Sequence, residues 1–397
     1  MRFPVRHTTL GFVISLTVLI SGCERPSQSA VTTSDAAPVP PATPHQRDAD
    51  DVARFIAGLP GTEGSPFAEL ESGEPWKEHR RRLDSTWATA ETSLIRNLRE
   101  FQRQELGSPA VESAPVFYPF GGPDALTVTL CFPDSPRYVM VGLEPAGTLP
   151  SPAQIGTKDL PKYLAEMRET VASELGRSFF ITRQMDRQMR GQITDGVLLP
   201  VLHLLARTRH TILGFRYVRL DERGQIIDRD RSYKAPGRFG NKGVEIEFRS
   251  DSDHSIHQLY YFSVNLSDAR LEENQPFLTY LPHLEGSTTL LKATSYMTHR
   301  RDFSLIRDRI LATSARILQD DSGVPFRFFG DSWKVQLYGD YAKPYGSFGG
   351  FQQKDLREAY QASEVKPLAL RLGYGYSRVA SNLLYATRLR PPAVSGE

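Results

Sequence analysis

Apolar positions recur with helical or alternating spacing along most of the chain and so predict its elements. A stripe of apolar side chains predicts one long helix over 75–106, where Pro75 suits the start of a helix. The same spacing predicts shorter helices over 159–175, 197–205, 287–297, 302–318 and 354–361. Alternating positions predict strands with one wet face over 211–220, 244–249 and 257–266, and shorter strands over 334–338 and 368–374.

A further hairpin is predicted from two strands, 126–132 and 138–143, that the turn residues Pro-Asp-Ser-Pro at 133–136 join. Cys131 lies on the less apolar face of the first strand, so we interpret it as a half-buried structural thiol rather than a catalytic one. Hairpins interrupted by helix pairs predict an α+β fold with mainly antiparallel sheet, flanked by helices, rather than a repeating βαβ array.

The first 22 residues have the pattern of a signal peptide. Arg2 and Arg6 precede an apolar run over 10–20 that is too short to cross a bilayer, which takes about 20 apolar residues. The run ends in Leu-Ile-Ser-Gly-Cys, 19–23, and resembles the lipobox of bacterial lipoproteins. The resemblance implies that Cys23 is lipidated and becomes the N-terminus after cleavage at 1–22. An ordinary secretory peptide with an incidental Cys23 is the alternative.

The composition of the next residues predicts a tether. Residues 24–50 hold five prolines and no Leu, Ile or aromatic residue, so they cannot bury enough apolar surface to fold. We therefore predict a lipidated cysteine and disordered tether over 23–50, one globular domain of one or two lobes over 51–390, and a flexible tail over 391–397. Glu24 stands where the enterobacterial sorting rule has Asp for inner-membrane retention, which implies an outer-membrane lipoprotein that faces the periplasm.

Composition and charge exclude several classes of protein. With 40% hydrophobic and 24% charged residues, the chain is neither disordered nor a multi-span membrane protein. Its 48 Lys and Arg face 46 Asp and Glu, and removal of residues 1–22 takes away only Arg2 and Arg6, which leaves no net side-chain charge. A neutral protein is a poor partner for nucleic acid. If Cys23 carries lipid, Cys131 has no cysteine left to form an intramolecular disulfide.

No cofactor is expected, because the sequence holds no P-loop, HExxH, CxxC or GxSxG signature. Residues 251–257 hold two carboxylates and two histidines, of which His254 and His257 are candidate metal ligands. A hairpin turn with solvated polar side chains is the alternative, and we prefer it because no third group of ligands is near in the sequence.

Aromatic residues and glycines dominate residues 326–351. Nine of these 26 residues are aromatic, and rigid rings on glycine-rich loops suit the recognition of a sugar or peptide. Rings that only fill the core beneath an irregular loop are the alternative, and we prefer it. The candidate binding residues are Trp333, Tyr338, Tyr341, Tyr345 and Phe348.

Four carboxylates are candidates for acid–base catalysis. Asp124 precedes the predicted hairpin and Glu144 follows it, so both belong at one end of the sheet, where they could act as general acid and base as in glycoside hydrolysis. Caps of turns are the alternative, and we prefer it. Asp320 and Asp321 lie close in sequence to the aromatic segment and could add hydrogen bonds or acid–base function.

Two segments resemble a set of uncharacterised bacterial envelope proteins, and this resemblance implies no activity. They are Phe-Tyr-Pro-Phe-Gly-Gly-Pro-Asp at 117–124 and Gln-Asp-Asp-Ser-Gly-Val-Pro at 319–325. We expect a membrane-anchored envelope lipoprotein that binds a glycan, peptide or protein partner. The alternative is a periplasmic carboxylate-dependent hydrolase that acts on a cell-envelope glycan.

Overall fold

A mixed sheet of eleven strands organises the fold. The computed structural model describes residues 44–107, 113–156, 159–177, 196–229, 241–374 and 381–389. The strands lie in the order β10-β9-β11-β8-β7-β1-β2-β6-β5-β3-β4. They are β1 Val116–Tyr118, β2 Arg137–Gly142, β3 His210–Leu220, β4 Ile226–Asp228, β5 Lys242–Ser250, β6 Ile256–Ser263, β7 Thr288–Leu291, β8 Arg316–Gln319, β9 Trp333–Gly339, β10 Val365–Lys366 and β11 Asn382–Arg388.

Twelve α-helices lie in the described part of the chain. Two π-helical segments, Glu91–Ile95 and Gln102–Leu106, continue α3 and α4 into one long helix, so the helix predicted over 75–106 is confirmed. The helices are α1 Pro44–Ile56, α2 Ala68–Ser72, α3 Glu74–Ala90, α4 Arg96–Phe101, α5 Ala125–Cys131, α6 Pro152–Gly156, α7 Leu160–Arg177, α8 Leu198–Arg207, α9 Asp268–Glu273, α10 Gln275–Tyr280, α11 Ser304–Thr313 and α12 Lys354–Ala362.

The predicted sheet of mainly antiparallel hairpins is wrong, because the centre of the sheet is parallel. The neighbours β8, β7, β1, β2 and β6 all run in the same direction. Antiparallel pairing occurs toward the two sides, where β3, β4 and β5 lie on one and β11 on the other. Central parallel strands are buried on both faces, so their sequences lack the alternation that reveals a strand with one wet face.

The predicted hairpin is absent, because residues 126–132 form most of helix α5 instead of a strand. The Asp124 side chain caps this helix by accepting a hydrogen bond from Thr127 N at 3.0 Å. Every residue of α5 is buried, including Cys131, so neither face of the segment shows a polar pattern that separates helix from strand. The second predicted strand exists as β2, but it pairs with β1 in parallel.

Three further predicted elements are wrong in whole or in part. The helix predicted over 287–297 is replaced by strand β7, the helix predicted over 302–318 ends at Thr313, before strand β8, and residues 368–374 carry no strand. Strands β1, β4, β10 and β11 were not predicted. A strand of four residues is too short to display a period. The other predicted strands are confirmed as β3, β5, β6 and β9, and the other helices as α7, α8 and α12.

The parallel strands follow a doubly wound order. In chain order, strands one to six of this set are β1, β2, β6, β7, β8 and β9. Across the sheet they lie in the order three, two, one, four, five, six. The antiparallel β11 lies between the last two. Sheets with this order bind their ligands where the order reverses, outside the carboxyl ends of the strands. The reversal here lies between β1 and β7.

Helices cover both faces of the sheet. Val116 and Tyr118 of β1 face the core formed with α1, α3, α5, α7 and α8, whereas Phe117 faces the core formed with α9, α10, α11 and α12. Because α5 follows β1 on one face and α11 follows β7 on the other, the two connections diverge at the carboxyl ends of these strands. In doubly wound folds this divergence is where a crevice forms.

Helix α1 is held to the domain by its last carbonyl groups, those of residues 55–57. Four buried or partly buried side chains from α3 and α8 contact these oxygens: Trp76 Nε1 on Phe55 at 3.0 Å, His79 Nε2 and His203 Nδ1 on Ile56 at 2.9 and 3.1 Å, and Arg207 Nε on Ala57 at 2.6 Å. These contacts satisfy acceptors that a helix end otherwise leaves unpaired.

The helix α1 begins at Pro44, within residues 44–50, which the composition assigned to the tether. Burial of Ala49, Val52 and Phe55 in the core explains why this segment is helical. The predicted signal peptide, Cys23 and the tail over 391–397 lie outside the described residues. Among the helices that the structure describes, none is both long and apolar enough to cross a membrane.

Candidate functional site at the carboxyl edge of the parallel strands

All four candidate carboxylates lie at the edge of the sheet where the parallel strands end. Asp124 follows β1, Glu144 follows β2, and Asp320 and Asp321 follow β8 directly. All four residues are buried. Asp124 and Glu144 therefore do lie at one end of the sheet, but because each follows a parallel strand rather than because they flank a hairpin.

A buried ion pair joins the two strands at the reversal of strand order. Lys292, directly after β7, pairs with Asp124, and each side chain is only 2% exposed. Lys292 Nζ also donates to Thr127 Oγ1 at 2.8 Å, and Tyr118 OH donates to Asp124 Oδ2 at 2.8 Å. Lys292 was missed by the sequence analysis because its segment was predicted to be a helix.

The ion pair determines which ligands could bind between β1 and β7. In doubly wound folds the first helix points its amino end at a phosphate. Here the Asp124 carboxylate occupies that end of α5, and Lys292 neutralises it from β7. Gly121, Gly122 and Pro123 replace the usual three spaced glycines in the preceding turn. The described crevice is therefore not built for a pyrophosphate.

Glu144 lies beside two glycines. A Cβ atom on Gly142 would stand 2.7 Å from both Glu144 Oε2 and Tyr261 OH, so a side chain there would displace these two groups. Tyr261 OH donates to the Glu144 backbone oxygen at 2.8 Å, and burial together with the Glu144 charge raises the pKa of Tyr261 far above its usual value. Tyr261 therefore stays protonated and keeps donating its hydrogen bond to the Glu144 backbone oxygen.

Asp320 holds the loop after β7. Its Oδ2 accepts from Ala293 N at 3.0 Å, and its Oδ1 accepts from Ser322 N at 3.0 Å and Ser322 Oγ at 2.5 Å. Burial raises the pKa of Asp320 despite these donors. Asp320 therefore links the loop after β7 to the turn after β8 and positions both.

That loop carries backbone strain. Ala293, Ser295 and Tyr296 have φ values of 51°, 54° and 54°, in the left-handed region that residues with a side chain avoid. Tyr374 OH braces the loop by accepting from Ser295 N at 2.7 Å and donating to Ala293 O at 2.8 Å. Such strain costs about 1 to 3 kcal/mol per residue and clusters at functional sites.

Asp321 has the chemistry of a proton donor. Its Oδ2 accepts from Tyr296 OH at 2.6 Å and its Oδ1 from Asn382 Nδ2 at 3.2 Å. Burial, and then the neighbouring Asp320, raise the pKa of Asp321 to about 7. A carboxyl group that titrates near neutrality can act as a general acid.

An aromatic cluster covers Tyr296. Its ring stacks on Phe351 with 4.9 Å between ring centroids and on Tyr374 at 6.2 Å. Phe348 lies 5.2 Å from Tyr296 and 4.8 Å from Tyr374, and both Phe348 and Tyr374 are half-buried. Of the predicted binding residues, Phe348 therefore contacts Tyr296, the hydrogen-bond partner of Asp321. The contributions of Tyr296 and Tyr374 were not predicted.

The other predicted binding residues are dispersed. Tyr345 is 66% exposed, and Tyr341 is half-buried with its hydroxyl accepting from Gln353 N at 2.9 Å. Tyr338 is buried and donates to Glu105 at 2.8 Å. Trp333 begins β9 at the opposite edge of the sheet and is buried. Core packing accounts for Tyr338 and Trp333, in agreement with the alternative interpretation.

The histidines of the predicted metal site do not come together. His257 is buried, and its two ring nitrogens contact Ser135 O at 2.7 Å and Ser255 Oγ at 2.6 Å. His254 is exposed in the turn before β6. In the described ranges, no three His, Cys, Asp or Glu residues gather as a metal site would require.

The thiol of Cys131 is unreactive near neutral pH. Cys131 is buried in α5, and burial raises its pKa to about 12, so a thiolate does not form near neutrality.

Comparison with known proteins returned no match for this chain, whether among protein-family models, curated proteins or solved structures. The chemistry of the crevice is therefore inferred from its own residues and from the strand order.

Proposed function

We propose that the chain is a membrane-anchored envelope lipoprotein whose folded domain binds a glycan at the carboxyl edge of the parallel strands. The observation that carries the proposal is that Glu144, Asp320 and Asp321 lie along one edge of the sheet. At the same edge, the half-buried rings of Phe348 and Tyr374 pack on Tyr296, the hydrogen-bond partner of Asp321. Carboxylates accept hydrogen bonds from sugar hydroxyls, and aromatic faces pack against the apolar faces of sugar rings. The strand order marks the same edge as the place where a ligand binds.

The size of the edge suits an extended ligand. Glu144 follows β2 and Asp321 follows β8, and these strands are separated by β1 and β7. Three strand spacings correspond to about 14 Å. A chain of linked sugars can reach both carboxylates, whereas a single small molecule cannot.

Glycan binding is tested with the purified mature lipoprotein and peptidoglycan sacculi in a sedimentation assay. We expect Phe348→Ala to lower the affinity about 5-fold, because the ring contributes stacking of roughly 1 kcal/mol. The matched control is Phe329→Ala, which removes a half-buried ring of the same segment that packs on Trp333 at the opposite edge. Failure of the native protein to sediment with sacculi, or equal losses in both variants, would contradict the proposal.

Lipid anchoring through Cys23 has its own test. Cys23→Ser is expected to move the protein from the membrane fraction to the soluble fraction, because serine has no thiol to carry the lipid anchor. Cys131→Ala is the matched control and should stay with the membrane, since Cys131 is buried. Immunoblots of the two fractions measure the distribution, and membrane retention of Cys23→Ser would count against a lipid anchor.

A second candidate function is hydrolysis of the bound glycan. The observation that favours it is Asp321, whose pKa of about 7 and short hydrogen bond to Tyr296 suit a general acid. The strained loop after β7 holds Tyr296 in place for this contact.

A further inference from the structure

Three arginines lie over two aromatic rings next to the candidate site. Arg307 of α11 and Arg327, beyond β8, share the ring of Phe328, with their Cζ atoms 4.3 and 4.9 Å from its centroid. Arg300, between β7 and α11, lies over Phe351 with its Cζ atom 5.6 Å from the centroid. We call these five residues the arginine face. A cation–π contact orients a guanidinium group but leaves its charge without a counterion.

The arginine face is continuous with the carboxyl edge of the parallel strands. Phe351 stacks on Tyr296, whose hydroxyl donates to Asp321. The His299 ring packs edge-on against Tyr296 and Phe351, with 5.0 and 5.8 Å between ring centroids. Burial, and then the charge of Arg327, lower the pKa of His299 to about 4, so the imidazole is neutral at pH 7. The positive charge at this place therefore comes from the arginines.

Within the part of the chain that the structure describes, this positive charge is only partly compensated. Arg307 pairs with Asp308 at 3.0 Å, and the aspartate side chain is 64% exposed. Arg300 and Arg327 are exposed, and neither forms an ion pair with a described carboxylate. The exposed arginine and aspartate at 301–302 add no net charge. Three arginines against one aspartate leave the arginine face with an excess of two positive charges.

A bound anion would relieve the repulsion between these charges. Arg307 and Arg327 share one ring, and like charges so placed repel each other unless a counterion lies near them. Asp320 and Asp321 do not serve as that counterion, because their oxygens accept hydrogen bonds from other groups and neither pairs with a described arginine.

The form of the arginine face favours carboxylates repeated along a polymer. A guanidinium group presents paired N–H donors that match the two oxygens of a carboxylate. Because the exposed guanidinium groups of Arg300 and Arg327 lie over two separate rings, they suit single negative charges at intervals rather than one phosphate.

We infer that the arginine face binds the carboxylates of an acidic glycan whose sugar rings pack on the neighbouring aromatic cluster. The inference rests on the proposed function, because it names the substrate class of that same site. The ligand is then a glycan that bears carboxylates, as peptidoglycan does on its peptide stems, and a neutral polysaccharide is excluded.

Sacculi with and without their carboxylates test the inference in the sedimentation assay with the purified mature lipoprotein. Carbodiimide and ammonium chloride convert the carboxyl groups of sacculi to amides, which keeps the polymer and removes its negative charge. We expect the native protein to bind amidated sacculi at least about 10-fold more weakly, because the charged hydrogen bonds are lost. A rise in NaCl from about 50 to about 500 mM should weaken binding of untreated sacculi and spare that of amidated sacculi.

Two variants place the effect on the arginine face. Arg300→Gln and Arg327→Gln each remove one exposed cation, and each should weaken binding of untreated sacculi about 5-fold while binding of amidated sacculi stays unchanged. A variant that had lost its fold would lose both. The matched control is Arg96→Gln, which removes an exposed cation of α4 on the other face of the sheet and should leave the affinity unchanged.

The outcomes separate the inference from the proposed function. Weaker binding of amidated sacculi, together with a loss in either arginine variant, supports both. Equal binding of the two forms of sacculi, or two arginine variants that bind like the native protein, overturns the inference and leaves glycan binding in place. No binding of either form contradicts both. Vesicles of phosphatidylglycerol are a further probe: if they bind through Arg300 and Arg327 and sacculi do not bind, the ligand is a lipid surface and both are overturned.

Discussion

Replacement of Lys292 by methionine is expected to lower the free energy of unfolding by about 3 to 5 kcal/mol. Methionine matches the length of the lysine stem but leaves Asp124 buried without its cation. The hydroxyl of Tyr118 and the amide of Thr127 remain as its donors, and they do not replace a full positive charge. Urea denaturation followed by circular dichroism at pH 7 measures the change.

Two controls show that the loss comes from a buried charge. Lys366→Met removes a lysine that is 43% exposed and pairs with Glu105, so we expect a loss below about 1 kcal/mol. The double variant Lys292→Met with Asp124→Asn should be more stable than the sum of the two single losses predicts. A loss under about 1 kcal/mol for Lys292→Met alone would mean that water reaches Asp124 in solution.

Replacement of Asp321 by asparagine is expected to slow glycan cleavage at least about 100-fold if the domain is a hydrolase. Asparagine keeps the shape and can still contact Tyr296 and Asn382, but it has no proton to donate. Release of reducing ends from sacculi measures the rate. The matched control is Asp340→Asn, which changes an exposed carboxylate beyond β9 and should leave the rate unchanged.

The pH dependence of the cleavage rate tests the same hypothesis. A general acid must be protonated, and the pKa of Asp321 is raised to about 7. The native rate should therefore be highest below about pH 7 and fall as the pH rises through that value, whereas the residual rate of Asp321→Asn should lack this fall. Binding of sacculi without any release of reducing ends would exclude hydrolysis of this substrate and leave glycan binding as the function.

Long strands and helices could be predicted from the sequence because their patterns of apolar and polar residues are local. Strands β3 and β5 have eleven and nine residues and one partly wet face, so their alternation was visible. Strand β6 was predicted from alternating side-chain types, although its residues 259–263 are all buried. Strands β1 and β7 have three and four residues, all buried, and show no period. The parallel centre of the sheet was therefore missed together with the strand order.

The candidate site was predictable only in part. The sequence predicted four candidate carboxylates because they are acidic residues in or near predicted turns, which is a local signal. They are Asp124, Glu144, Asp320 and Asp321. Their meeting depends on contacts across the chain, such as Lys292 with Thr127, 165 residues apart. No local pattern contains such a contact, and Thr-Thr-Leu-Leu at 288–291 is too short and too mixed in polarity to reveal the buried strand that Lys292 follows.

The attachment of α1 decides how the domain carries a mechanical load. A pull applied at the amino end of the described chain enters the fold through this helix. Its last carbonyl groups are bonded from α3 by Trp76 and His79 and from α8 by His203 and Arg207. Asp50 adds a bond to the backbone of β3 through Ile212 N at 2.9 Å. Tension is thus shared among two helices and a strand at the side of the sheet, and it bypasses the central strands that form the crevice.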